Sequence, residues 1–236
     1  MAALERWLVR HGAEFQWGAE VESIATAAGR ATGVVTRTGA VRADAVVVAA
    51  GSWSAALART AGVRLLIEPG KGYSMTIPTA EQRLRTPAIL SEARVAVSPL
   101  GERLRVGGTM ELTGFGPSDS ASRVKGIVDS AVRYLPGLDR DELLSAPRWQ
   151  GLRPCTPDGL PYLGSDAANP NLVIATGHAM LGVSLAPITG RLVADIVAGR
   201  APRLDIAGLD PRRHQRGGRR TGGRGRPRAP AQGARA

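Results

Sequence analysis

An α/β fold carrying an antiparallel insert is predicted for this 236-residue chain by three observations. Two short apolar runs, Ala45-Val-Val-Val-Ala-Ala50 and Leu172-Val-Ile-Ala175, have the continuous pattern of strands buried on both faces of a parallel sheet. Between them lie short strand-like segments cut by Gly and Pro turns, the texture of antiparallel sheet. A long apolar helical pattern, Val183 to Val197, follows the second run closely, as in strand–helix units of parallel sheets.

Taken in order, residues 2–11 predict a helix with Leu4, Trp7 and Leu8 on one face and Gly12 as its C-terminal stop. Glu14 to Trp17 predicts a short strand. Val21 to Ala27 and Ala31 to Thr38 alternate apolar with small or polar residues around Gly29-Arg30, with a further turn near Gly39, which predicts a β-meander. Gly51 ends the first buried run, and Trp53 to Ala61 predicts a helix. The antiparallel candidates are Leu66-Ile67, Tyr73 to Ile77, Val95 to Ser98, Leu104 to Val106 and Thr109 to Leu112. Ser122 to Leu135 predicts a helix with Val124, Ile127, Val128 and Ala131 on one face, stopped by Pro136-Gly137. The last helix is expected to turn Leu185, Ile188, Leu192, Val193 and Ile196 inward, with Gly199 as its stop. From about His214 onward Arg, Gly, Pro and Ala dominate without periodicity, the composition of a disordered tail. The expected division is 1–67 and 148–205 for the two pieces of the parallel-sheet unit, 68–147 for the antiparallel insert and 206–236 for a basic disordered tail.

Composition narrows the function classes. The net charge of +11 suggests nucleic acid until it is located: nine of the 31 basic residues fall between Arg212 and Ala236, where no acidic residue occurs. The rest of the chain carries 22 basic against 20 acidic residues, a nearly neutral body. Arginine outnumbers lysine 29 to 2, which points to GC-rich coding more than to selection for phosphate contacts. Cys155 is the only cysteine, so no internal disulfide and no multi-cysteine metal site is available; with three scattered histidines, no metal is expected. The longest purely apolar run, Ala45 to Ala50, is far short of the ~20 residues of a membrane span. No charged-then-apolar leader pattern follows Met1. A cytoplasmic protein is expected, compatible with peripheral contact at the inner face of the cytoplasmic membrane.

Four motifs bear on chemistry. Val46-Val-Val-Ala-Ala-Gly51 ends in small residues, which let a dinucleotide approach the backbone at the carboxyl edge of a sheet; equally, it is a buried strand with a glycine turn. Arg153 sits in the Gly- and Pro-rich segment Gly151-Leu-Arg-Pro-Cys-Thr-Pro-Asp-Gly-Leu-Pro-Tyr-Leu-Gly164, read as a turn-rich loop. A guanidinium there can grip a carboxylate through two parallel hydrogen bonds; among 29 arginines it can also be one more surface residue. Asp158-Gly159 reads as a turn. Gly177-His-Ala-Met-Leu-Gly182 leads into the last helix, whose unsatisfied first-turn amides carry positive potential. His178 is either a packed loop residue or a base, and Tyr73 either lines a pocket or covers the sheet.

The segments Gly151–Gly164 and Asn171–Gly182, with the helix after them, resemble the C-terminal end of the FAD-dependent D-amino acid oxidase family, in particular its D-amino acid dehydrogenase and glycine oxidase branch. The resemblance covers roughly residues 1–213. It implies a partial FAD-binding, Rossmann-like parallel sheet with a mainly antiparallel substrate domain, and FAD as cofactor. It implies that Arg153 binds the carboxylate of a small amino-acid substrate, with Tyr73 and Arg94 also in the substrate site. The implied cofactor contacts are Val21, Ala50, Gly51 and Trp53, and then Gly177, His178, Met180, Leu181, Gly182 and Val183; amides at the helix start would favour negative charge on the flavin. The implied reaction is hydride transfer from a D-amino acid to flavin, hydrolysis of the imino acid to a 2-oxo acid and ammonia, and passage of electrons to a quinone or oxygen.

The Gly-x-Gly-x-x-Gly strand–turn–helix unit that opens such flavoproteins is absent from this sequence. The expectation is a truncated copy, or a chain completed by a separate polypeptide that supplies this unit. Three rival readings stand beside it: a glycine- or sarcosine-type oxidase, an inactive remnant, and a basic-tail nucleic-acid-binding module.

Overall fold

The computed structural model describes residues 2–78, 84–116 and 120–215. Helix α1 (Ala2–Arg10) has no buried residue, and Gly12 leaves it at a left-handed φ of 87°. The strand expected over Glu14 to Trp17 is not formed. The segment is irregular, its Phe15 and Trp17 rings stacked with centroids 5.5 Å apart, and no neighbouring strand pairs with it among the described residues. The meander follows as predicted, with β1 (Val21–Ala27), β2 (Arg30–Thr36) and β3 (Gly39–Arg42) joined antiparallel. Ala28 and Gly29 both hold positive φ, 49° and 71°, the geometry whose twist suits a two-residue hairpin.

The parallel pairing joins β4 (Val46–Val48) to β11 (Leu172–Thr176), with Val47 opposite Val173, and β10 (Tyr162–Ser165) adds antiparallel to β11. Asn171 fixes this register to the meander: its side chain accepts from the Ala31 amide at 3.0 Å and donates to the carbonyls of Ala31 and Asp44, each at 2.7 Å. Helix α2 (Ser54–Arg59) packs beneath, and Ile24, Val48, Ala58, Leu65, Tyr162 and Ile174 form the core here. One expectation is corrected. Strand β4 is the outer strand of this sheet, and Val47 is 41% exposed rather than covered on both faces.

The insert is a five-stranded sheet in the order β6-β7-β8-β5-β9: β5 (Glu68–Pro78), β6 (Ala88–Leu90), β7 (Val95–Leu100), β8 (Arg103–Leu112) and β9 (Arg148–Cys155). Helices α3 (Ser120–Tyr134) and α4 (Arg140–Ser145) cover one face, burying Tyr73, Met75, Val97, Val106, Val124 and Leu143. Helix α4 went unpredicted, although Asp139 caps it through hydrogen bonds from the amides of Asp141 (2.8 Å) and Glu142 (2.9 Å). Leu66 and Ile67 are irregular. Strand β5 begins at Glu68 and runs through Pro69, Gly70 and Gly72, because β8 and β9 pair with it on both sides. Residues 148–155, assigned from sequence to the parallel-sheet unit, form the edge strand of the antiparallel sheet, so the boundary expected at 147/148 falls ahead of a strand that belongs to the insert.

Helix α5 (Gly182–Val197) follows β11 as predicted, but only part of its apolar surface turns inward: Leu192 is buried while Ile188 is 40% exposed. By length and composition Ala179–Val197 is apolar enough to cross a membrane; its covered stripe carries Asp195, ion-paired to Arg200 (2.9 Å) and Arg191 (3.5 Å).

The disordered tail expected from 206 does not describe residues 206–215. The Arg212 guanidinium pairs with Asp166, which is fully buried. Arg213 donates to both oxygens of Asp158, at 2.8 and 2.9 Å, and lies 4.0 Å over the Tyr162 ring. His214 Nδ1 meets the Tyr162 hydroxyl at 2.7 Å, and the Gln215 amide donates to the Arg64 carbonyl at 2.7 Å. Residues 216–236, on which the nucleic-acid reading and the rest of the tail expectation fall, lie outside the described residues.

The hydrogen bond from Arg213 holds the Asp158 carboxyl well below the ordinary carboxylate value of 3.8. A depressed carboxylate contributes stability that is fully present above the unfolded value and is lost as pH falls below it, where the unfolded chain takes up the proton first. The urea-midpoint gap between the wild-type chain and Arg213→Ala is therefore expected to be wide near neutral pH and to narrow below pH 3.8. A gap independent of pH would show that the ion pair is not its source.

Candidate active site

Parallel pairing decides where the two glycine turns go. Because Val48 stands opposite Ile174 in parallel register, the segments after β4 and β11 leave from the same carboxyl edge, where open α/β sheets bind ligands. The first is the 3-10 turn Gly51–Trp53, entered from Ala50; the second is the 3-10 turn Ala179–Leu181, entered through Gly177 and His178. Thr176 ties them, its hydroxyl donating to the Gly51 carbonyl at 3.1 Å and accepting from the Ser54 hydroxyl at 3.0 Å. Ala50, Gly51, Trp53, Gly177, His178, Met180, Leu181, Gly182 and Val183 are thereby brought to one edge. Val21 stands apart, at the start of the meander, whose strand β1 packs against α2.

At this edge the backbone is strained and the surface apolar. Ala179 holds a φ of 45°, a conformation that costs about 1–3 kcal/mol for a residue with a side chain and that gathers at functional sites. No side chain caps the start of α5, and Met180 (71% exposed) and Val183 (89% exposed) lie beside it. The uncapped helix start and the unshielded apolar side chains fit a flat, polar-edged ring system. His178 is bound to α5, its Nε2 3.0 Å from the Thr189 hydroxyl, and burial pushes its pKa below the ordinary value. A neutral, hydrogen-bonded imidazole is the packed-residue reading.

Strand β9 runs against both turns, with the Gly177 Cα close to Thr156 just beyond its end. Arg153 is on this strand, not in the turn-rich loop expected; pairing with β5 made a strand of a Gly- and Pro-containing segment. On the face opposite the helices, Gly70, Gly72 and Gly151 leave a shelf without side chains. The Arg153 guanidinium lies across it, so close that a Cβ at Gly72 would fall 2.1 Å from Nη1 and 2.4 Å from Nη2. Nη1 donates to the Thr109 carbonyl on β8 at 3.1 Å, which fixes the plane of the fork and leaves its other N–H groups available. The Trp149 ring covers Gly151, and the Cys155 and Met110 sulfurs meet 3.7 Å apart above Gly70. Cys155 is half-buried, and burial raises its thiol pKa, so it is held as a thiol.

Two residues expected in the substrate site are placed elsewhere. Of the two readings open for Tyr73, the structure takes the covering one: its ring belongs to the helix-side core and its hydroxyl donates to Glu111 at 2.8 Å. Arg94 is not on a strand but in the turn before β7, at a φ of 53°, lining a cavity against α3. Asp158 accepts from the Leu160 amide at 3.1 Å as a turn residue and takes Arg213 as its ion partner.

Residues 1–196 match the family of FAD-dependent oxidoreductases called DAO. The chain belongs to that family. It is 38% identical over 208 residues to the D-amino acid dehydrogenase of Allorhizobium ampelinum, covering 87% of this chain and 48% of that protein. It is 42% identical over 205 residues to the same enzyme of Methylobacterium nodulans, covering 84% and 48%. Glycine oxidase from Geobacillus kaustophilus superposes at a TM-score of 0.80 and 32% identity, covering 90% of this chain and 57% of that one. The DAO-family chain described here thus spans about half the length of the curated relatives it matches.

Within the DAO framework, sequence reasoning missed Gly72, Thr109, Trp149 and Thr176. A signal for the first existed: Gly70 and Gly72 alternate within a strand, which strips one face of side chains, and Gly in a strand marks close approach of another group.

Proposed function

We propose that this chain forms the substrate-orienting part of an FAD-dependent D-amino acid dehydrogenase, working with a dinucleotide-binding unit. The observation carrying this reading is the Arg153 guanidinium, laid over a glycine shelf on a strand that runs against both turns of the sheet edge. The N–H groups of Arg153 not used by Thr109 grip the substrate carboxylate as a fork, fixing position and orientation together. That hold turns the α-carbon hydrogen away from the shelf. Bound FAD supplies a two-electron acceptor for hydride. As the α-hydrogen leaves with its electron pair, the amine lone pair forms the C=N bond, and water then converts the imino acid to a 2-oxo acid and ammonia. The amides opening α5 hold negative charge beside the reacting centre, and neutral His178 keeps the turn Ala179–Leu181 against α5.

A surface for that unit is supported by what α5 and β4 leave open. Val47 on the outer strand and Ile188 on the last helix are apolar and exposed, and the chain spans about half the length of the curated relatives it matches. Co-expression with the amino-terminal half of the Allorhizobium relative is expected to yield a co-purifying yellow complex that reduces an artificial dye with D-amino acids. The chain alone is expected to bind little flavin. Oxygen consumption with glycine or sarcosine in place of dye reduction would favour the oxidase reading. A colourless, inactive mixture would overturn the proposal in favour of a remnant.

A further inference from the structure

The cavity beside Arg94, of about 310 Å³, opens on the helix side of the antiparallel sheet, between the turn before β7, the later part of β8 and the first turns of α3. Arg94 and Arg123 line it, with Thr109 and Ser122 and an apolar part formed by Ala93 and Ile127. Neither guanidinium has an ion-pair or hydrogen-bond partner among the described residues. Arg94 and Thr109 hold left-handed backbone, φ 53° and 70°, an outlier for a β-branched residue such as threonine. Two exposed guanidinium-bearing residues at one cavity make a positively charged site that an anion neutralises.

We infer that this cavity binds a small organic dicarboxylate, one carboxylate on Arg94 and the other on Arg123. The planar fork of a guanidinium matches a carboxylate. Two forks facing one cavity match two, and the hydroxyls of Thr109 and Ser122 supply additional donors. Ala93 and Ile127 give a hydrocarbon spacer an apolar wall that inorganic phosphate would leave unused. The volume lies at the small end of the range for ligand pockets, suited to a four- or five-carbon acid. The site is distinct from the Arg153 shelf, although the two share Thr109, whose carbonyl holds Arg153 and which also lines this cavity. The inference does not depend on flavin chemistry.

Isothermal titration of the full chain with glutarate, at constant ionic strength, is the test. Saturable binding is expected, weakened about tenfold or more by Arg94→Gln or Arg123→Gln and abolished by the pair, since each removes a charge-assisted hydrogen-bonding partner. Arg103→Gln, on the far end of β8, is expected to leave it unchanged. Neutral glutaramide is expected not to bind, an arm that needs no variant to fold. Arg153→Gln is expected to preserve glutarate binding; loss there would assign the ligand to the shelf and overturn the proposal. It is also overturned by absence of saturation, by binding that survives the double variant, or by inorganic phosphate binding as tightly as glutarate.

Discussion

A chain ended at Leu209 is expected to be much less stable, by its urea midpoint, than one ended at Gln215. The residues between these ends close the small sheet from outside. Asp166 is fully buried; burial works to raise its pKa, but the hydrogen bonds from Arg212 and Asn169 outweigh it and keep the carboxylate ionised. Removing Arg212 strands that charge, and breaking one partner of a buried pair costs about 3–5 kcal/mol. The Asn169 amide and side chain, both 3.0 Å from the same carboxylate oxygen, remain but carry no full charge. Arg213, stacked on Tyr162 and bidentate on Asp158, adds a second loss. For a chain this size the midpoint shift is on the order of 1–2 M urea. Arg212→Ala alone is expected to reproduce most of it, and Asp166→Asn in the same background to restore part. Equal midpoints for the two chain ends would remove the C-terminal segment from the fold's support.

Gly72→Ala is expected to damage substrate binding in the assembled enzyme far more than it damages the fold. The new methyl would collide with the far end of a flexible side chain, so the strand stays paired while Arg153 swings away. Losing a bidentate, oriented contact to a carboxylate costs roughly 10²-fold in kcat/KM, since misplacement of about an ångström is enough. Arg153→Lys keeps the charge but not the fork and is expected to lose a similar factor, with flavin absorption unchanged. A Gly72→Ala enzyme with full kcat/KM would show that the observed guanidinium position is not the working one.

Periodicity and its limits explain how much of this was legible in sequence. The two parallel strands, the meander, α3 and α5 announce themselves through β-branched runs or 3.6-residue repeats. Strands β9 and β10 were hidden among Gly and Pro because their existence is set by pairing with β5 and β11, a tertiary effect that propensity does not carry. The segment 206–215 has no periodicity since ion pairs to Asp158 and Asp166, more than fifty and about forty-five residues away along the chain, hold it down. Arg153 stood out through resemblance alone. What places it, a glycine on one strand and a carbonyl on another, involves no distinctive side chain. Tyr73 and Arg94 were misplaced for a related reason: which face of a strand a residue takes, or whether it is in the turn beside it, depends on a register that β8 sets with a bulge near Lys71.

The acceptor that steadies the Arg153 fork is a main-chain oxygen, that of Thr109. No point substitution deletes a main-chain oxygen. The side chain at position 110 can therefore drift, trading bulk and polarity over the shelf, while the anchor for the amino acid's shared head group persists. A lineage built this way can explore new substrate tails by single mutational steps without ever passing through a form that has lost its grip on the head.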